Sequence, residues 1–184
     1  GGMIAQLLAA DHAQRVLSLC SIMSTSGNPA LPGPRADVAQ HMFLSRPEDG
    51  TPEAAIDHYV QTWKLIGSPA YPLSERELAA RVRAEVERSF YPQGFVRQYA
   101  AIAATGSRVE ALRRVTVPTL VIHGTEDPLV PVAGGRDTAA NISGARLEIF
   151  EGMGHDLPIP LLRQFVDLIS EHAHNAAGDR EEDR

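Results

Sequence analysis

Thr119-Leu120-Val121-Ile122-His123-Gly124-Thr125-Glu126-Asp127-Pro128-Leu129-Val130-Pro131 is the stretch on which the fold turns. Pro118 introduces it, and its first four residues are apolar or β-branched and uncharged. That is how a strand reads when both faces of a parallel sheet are covered. Gly124 then ends the strand and lets the chain turn sharply. A second segment of the same kind comes later. Arg146-Leu147-Glu148-Ile149-Phe150 alternates as an edge strand does, and leads into Glu151-Gly152-Met153-Gly154-His155-Asp156. Ligands of open parallel sheets bind at the C-terminal ends of the strands. Asp127 and His155 would each stand at such an end, a carboxylate beside an imidazole, the geometry of a base oriented by an acid.

Working outward, Val16-Leu17-Ser18-Leu19-Cys20-Ser21-Ile22-Met23 predicts another strand buried on both sides. The opening residues 1–10 are rich in helix formers, with Ile4, Leu7 and Leu8 on one face. Residues 24–34 read as loop, with three prolines and two glycines. Helical patterns come next at about 35–45, 52–66, 74–89 and 92–105, with Thr51-Pro52 and Ser74 as starts and Pro-Glu-Asp-Gly, Gly-Ser-Pro and Tyr-Pro-Gln-Gly between them. Further helices are expected at 132–142 and at about 158–174, the latter with a stripe of Leu161, Leu162, Phe165, Leu168 and Ile169. Strands alternating with helices predict an α/β fold of parallel βαβ units. About 95 residues separate the first two strands, far more than a simple crossover needs, so that connection should be a subdomain or lid. The expected division is 1–27 core, 28–106 helical cap, 107–175 core, and a disordered tail over 176–184.

The formal charge of −6, from 17 basic and 23 acidic residues, argues against a nucleic-acid partner, which needs a basic face. Cys20 is the single cysteine, so no intrachain disulfide can form, and a reducing, cytoplasmic setting is the default expectation. No apolar run reaches the roughly 20 residues of a membrane span. No Cys/His cluster or glycine-rich phosphate loop calls for a metal or cofactor, and none is expected. His172 and His174, two apart on a helix, face different ways.

Gly124-Thr125-Glu126-Asp127-Pro128-Leu129-Val130-Pro131 resembles the acid turn of α/β-hydrolases, and Gly152-Met153-Gly154-His155 resembles their histidine turn. The interval of 28 residues, holding one helix and one strand, matches as well. Gly1-Gly2-Met3-Ile4-Ala5-Gln6 is similar to the segment that comes after the nucleophile elbow, Gly-x-Ser-x-Gly, with Gly1 as its last glycine; the alternative is that Gly1-Gly2 is a cloning scar before Met3. The resemblance covers nearly the whole chain. It implies the C-terminal part of an α/β-hydrolase sheet, strands six to eight, with a cap, and a nucleophile outside this chain. Within the family the cap and last helix look most like carboxylic-ester hydrolases, including methylesterases acting on aromatic polyketides. The implied partner is a small-molecule ester. Dehalogenase, epoxide hydrolase, carbon–carbon hydrolase and cofactor-free haloperoxidase chemistry remain open alternatives, as does a non-catalytic association fragment. Strand six lies between five and seven in the family, so the edge over 16–23 is expected to pair with a second copy or with an N-terminal half.

Other residues have plainer readings. Asp127 could simply cap a helix, and His155 could be a core histidine bonded to a carbonyl. Glu126 and Asp156 read as rim residues, His123 as structural, and Ser26 as a loop residue. Eight of the ten aromatic residues lie between 43 and 99, which supplies a helical cap with its own core and leaves some side chains for a substrate wall. Trp63 and Tyr59 are the expected wall residues there, with Leu129 and Val130 from the acid turn.

Overall fold

The computed structural model describes residues 1–45 and 50–182. Most of the predicted Pro47–Gly50 break lies outside these residues, as do positions 183 and 184. Three strands form one parallel sheet in the order β1 (Leu19–Ile22), β2 (Thr119–Gly124), β3 (Arg146–Phe150). Leu19 pairs with Thr119 and Ile22 with Ile122, while Leu120 pairs with Arg146 and Gly124 with Phe150. All six residues of β2 are buried, as its uninterrupted apolar pattern predicts. Leu120 and Ile122 project into one layer with Met153, Leu161 and Phe165. On the opposite layer Leu19 packs with Ala9, Leu112, Val115, Val117 and Ile142. Burying each such large side chain is worth about 1.5–3 kcal/mol.

The strand expected over 16–23 is shorter than its apolar run. Val16 closes a 3-10 turn at Ala13–Arg15 by donating its N–H to Ala13 O at 3.1 Å, and only Leu19–Ile22 then form a strand, with Met23 N–H donating to Ile122 O at 2.9 Å just beyond it. At the far end Met23 adopts φ 47°, a left-handed conformation that costs a side-chain-bearing residue about 1–2 kcal/mol, and the chain leaves the sheet. Nor is β1 buried on both faces: Leu19 and Ser21 are buried, Cys20 and Ile22 only partly so.

Helix α1 (Gly2–Asp11) corrects a second expectation. Its apolar residues Ile4 and Leu8 are exposed, and it buries Gln6 and Ala9 instead. The helix lies close to the sheet at its start, where a Cβ on Gly2 would lie 2.5 Å from Ser24 Cβ. Gln6 is accommodated there by donating to Ser21 Oγ at 3.1 Å and accepting from the buried Arg108 Nε at 3.2 Å.

Between β1 and β2 come α2 (Ala36–Ala39), a π turn at Gln40–Leu44, α3 (Pro52–Ile66), α4 (Glu75–Arg88), α5 (Pro92–Thr105) and α6 (Val109–Leu112). Thr51 caps α3 by accepting from Ala54 N–H, and Ser74 and Glu77 form a capping box on α4, so both starts fall where their sequence signals stand. Helices α3 and α4 build a separate core of Ile56, Leu78, Val82 and Val86. After β2 comes α7 (Val132–Ala140), and after β3 a 3-10 turn leads into α8 (Leu162–Glu182). The tail expected to be disordered from residue 176 is therefore helical as far as 182. Alanine and charged residues there are good helix formers, and Ala176 is buried. Among the described residues no helix is long and apolar enough to cross a membrane.

Candidate active site

Parallel register places the ends of β2 and β3 side by side, and the two turns that leave them interlock. Thr125 N–H donates to Phe150 O at 3.0 Å, Glu126 N–H to Met153 O at 3.0 Å, and Gly152 N–H to Thr125 Oγ1 at 2.9 Å. Across this frame His155 Nδ1 stands 2.7 Å from Asp127 Oδ2. A carboxylate can only accept here, so Nδ1 carries the proton and Nε2 is left as the free base. Asp127 is buried, and its other oxygen accepts from the N–H groups of Leu129 at 3.0 Å and Val130 at 2.8 Å. The turn thus satisfies the carboxylate with its own backbone. No helix begins directly after Asp127, since α7 starts at Val132 with Pro131 as its N-cap, and this answers the helix-capping reading that Asp127-Pro128 suggested.

Burial pushes the Asp127 pKa up. Hydrogen bonding from His123 and His155, the charge His155 can carry and the Val130 N–H outweigh that, so the carboxyl sits below its ordinary range. The His123 share is indirect. Its Nε2 donates its one proton to Val130 O at 2.7 Å and lies 3.5 Å from Asp127 Oδ2. His123 is fully buried beneath the carboxylate, with Nδ1 unpartnered against the Gly135 backbone of α7, where an added Cβ would come within 2.5 Å. The structural reading of His123 therefore fits, with the addition that what it supports is the acid turn.

His155 opens onto a cleft of about 860 Å³. Leu129 and Val130 are among the residues that line it. Trp63 and Tyr59 do not, and this corrects the sequence expectation. Both pack against the cap's own core, where Trp63 Nε1 donates to Glu85 Oε2 at 3.3 Å and Arg81 lies 4.7 Å over the indole ring. The helical segment between β1 and β2 instead presents Phe43, Phe95 and Tyr99 to the cleft, with Phe43 and Tyr99 ring centroids 4.6 Å apart. Met42 and Phe43 come from the π turn, a wider coil than an α-helix and a frequent mark of functional positions. Phe95, Tyr99 and Ile102 stand at i, i+4 and i+7 on α5, a spacing that could have revealed them. More of the wall comes from Gly1 to Ala5, Cys20, Ile22, Met23, the loop 24–34, Gln98, Pro131 and Gly134; among the described residues no Lys, Arg, Asp or Glu side chain lines it.

The remaining candidates fall elsewhere. Ser26 is buried with its Oγ donating to Asp137 Oδ2 at 2.5 Å, the loop role its setting predicts. Its neighbours Thr25 and Gly27, but not Ser26 itself, line the cleft. His172 Nε2 contacts Leu19 O and His174 Nδ1 contacts Ser170 O, so the two rings point to different partners. Asp156 is no free rim residue: it accepts from the N–H and hydroxyl of Ser68. Nothing in a Gly-His-Asp-Leu-Pro string signals that contact, because Ser68 is 88 residues away.

Against known proteins, the family model described as alpha/beta hydrolase fold matches residues 1–160. Rhodomycin D methylesterase DauP of Streptomyces sp. (strain C5) is 28% identical over 194 residues, covering 96% of this chain and 65% of that protein. A 2-hydroxy-6-oxononadienedioate/2-hydroxy-6-oxononatrienedioate hydrolase of Cupriavidus pinatubonensis is 30% identical over 161 residues, covering 84% of this chain and 53% of that protein. The crystal structure of the enol-lactonase from Burkholderia xenovorans LB400 superposes with a TM-score of 0.71 at 22% identity, over 93% of this chain and 61% of that one. The chain thus spans about 65% or less of the length of these relatives.

Proposed function

Because the chain belongs to the α/β-hydrolase fold family, we propose that it supplies the acid and the base of a serine carboxylic-ester hydrolase. The observation that carries this reading is the 2.7 Å contact of Asp127 Oδ2 with His155 Nδ1 at neighbouring strand ends, beside an apolar cleft. The match to the alpha/beta hydrolase fold supports a chemistry built on an activated nucleophile, and the similarity to a methylesterase favours an ester.

In this mechanism a serine preceding Gly1 attacks the ester carbonyl. Its proton passes to His155 Nε2. The imidazolium then protonates the departing alcohol, and the neutral ring later takes a proton from the water that releases the acid. Asp127 holds the ring with Nε2 free and stabilises the cation when it forms. General-base help of this kind contributes about 10²–10⁴-fold. The position of the serine is inferred from Gly1 and Gly2: they line the same cleft as His155, and Gly2 packs too closely on Ser24 for any larger residue. The described residues of the cleft wall carry no formal side-chain charge, which favours a neutral ester with a bulky apolar acyl part over a dicarboxylate.

The test compares two proteins on neutral methyl and p-nitrophenyl esters. Residues 1–184 alone should show no turnover above their His155→Ala variant. The chain preceded by a segment bearing Gly-x-Ser-x should hydrolyse the esters, with His155→Ala abolishing the rate. Turnover by 1–184 alone that both Asp127→Ala and His155→Ala abolish would place the nucleophile within this chain and refute the assignment.

A further inference from the structure

The loop that ends α3 lies against the loop that carries His155, and successive residues of the two are bonded together. His155 N–H donates to Ile66 O at 2.7 Å, and Gly154 N–H donates to Ser68 Oγ at 2.8 Å. The Ser68 hydroxyl in turn donates to Asp156 Oδ1, and Ser68 N–H donates to the same oxygen at 3.0 Å. Ala70 N–H reaches Gly152 O at 3.3 Å. The fit leaves no room for side chains: a Cβ on Gly154 would stand 2.4 Å from Gly67 O, and one on Gly152 2.4 Å from Ala70 Cβ.

We infer that Ser68 and Asp156 are positioning residues that hold His155 by its main chain, as Asp127 holds it by its ring. An imidazole needs both constraints. The Asp127 contact fixes which nitrogen is protonated and how the ring is turned, but it cannot fix where the Cα of His155 sits. That is set by the peptides on either side, and residues 154, 155 and 156 each bond to residues 66–68. Ser68 is the hub. It is 4% exposed, and its one hydroxyl accepts from Gly154 while donating to Asp156. Removing the hydroxyl strands a buried Gly154 N–H and half-empties the Asp156 carboxylate at once. Removing the carboxylate leaves both Ser68 donors unpaired. Either change frees the loop to drift, and about 1 Å of drift in a catalytic group can cost about 10²-fold in rate. The clamp also makes the cap part of the base: α3 cannot shift without carrying His155.

Calling His155 the base rests on the function proposed above; the clamp itself does not, and its test needs no turnover. The probe is the Nδ1–H proton of His155 by NMR in the 184-residue chain, with Asp127→Ala as the variant that removes it. Asp156→Ala is expected to broaden or abolish that signal and to speed amide exchange at Gly154 and His155 at least tenfold, with helix content retained. Asp156→Asn keeps an oxygen acceptor for Ser68 and should restore both readouts; Ser68→Ala should behave like Asp156→Ala. In an active enzyme the same variants should lower kcat with KM little changed. A sharp, unshifted His155 signal and unchanged exchange in Asp156→Ala would overturn the inference, as would equal loss in the Asn and Ala variants. Absence of esterase activity in every form would sink the enzymatic reading and leave the clamp standing.

Discussion

Asp127 is held in its charged form by several donors against the cost of burial, and this has a consequence for stability. Its folded pKa lies below its unfolded value of about 3.9. Its contribution is therefore complete above that pH and is lost as pH falls through the folded pKa. Asp127→Asn should lower the melting temperature at pH 7 and lower it less at pH 3; an equal loss at both pH values would contradict the electrostatic account. Cys20 presents the opposite case. Burial pushes its thiol up to about 11. Alkylation by iodoacetamide at pH 8 should run about two orders of magnitude slower in the folded chain than in urea, since the thiolate is the reactive form. A folded-state rate close to the unfolded one would show Cys20 to be open to solvent. At Gly152 two demands coincide: φ of +70° and the Ala70 methyl where a Cβ would go. Gly152→Ala should cost at least about 1–3 kcal/mol, or roughly 2–12 °C in melting temperature at the 2–4 °C per kcal/mol expected for this size. An unshifted melt would mean the two loops separate easily.

Among elements, β1 is the exposed flank. Leu19 and Ser21 turn their backbone groups to β2, so alternation leaves those of Cys20 and Ile22 facing away from it, and no described strand pairs there. Ile4, Leu8 and Leu17 are exposed as well. Natural edges are usually shielded by charge, proline or a bulge, and Leu19–Ile22 has neither charge nor proline. We expect another strand to cover it, from a second copy or from a preceding segment. Sedimentation of the 184-residue chain at micromolar concentration should show association; a monomer with freely exchanging Cys20 and Ile22 amides would show that the bare edge is tolerated. The cap makes a different prediction. Trp63 is the single tryptophan and belongs to the α3–α4 core. Its fluorescence should follow cap unfolding and stay unchanged when neutral esters enter the cleft, whereas Tyr99→Ala should weaken ester binding with little effect on the melt.

At the scale of the whole molecule, the sheet, the cap and the two turns converge on one cleft. Strands β2 and β3 bring Asp127 and His155 together. The helical segment between β1 and β2 supplies Phe43, Phe95 and Tyr99 to the same cleft, and Gly1 to Ala5 line it as well. In the complete hydrolase proposed here, Asp127→Asn should lower kcat by roughly 10⁴-fold, because the ring then loses the partner that sets its tautomer. A fall of tenfold or less would mean that the backbone clamp alone orients His155.

Local pattern determined much of this protein by itself. A continuous apolar run made β2 a central strand, alternation made β3 an edge, and Thr51 and Ser74 started the helices they cap, because each rule acts over a few residues along the chain. The pairing of Asp127 with His155 was legible for the same reason: two glycine-bearing turns come after two strands whose parallel pairing leaves little choice of position. Tertiary structure alone decided which residues face which neighbour. Whether Trp63 or Tyr99 meets the cleft depends on how α5 and the π turn lie over the sheet, and composition carries no record of that. The same holds for α1, where the polar partners Ser21 and Arg108 bury Gln6, beside Ala9, while Ile4 and Leu8 are left exposed. It holds for Ser68 and Asp156 most of all: their bond spans 88 residues of chain and exists only because the cap returns to the loop that holds the histidine.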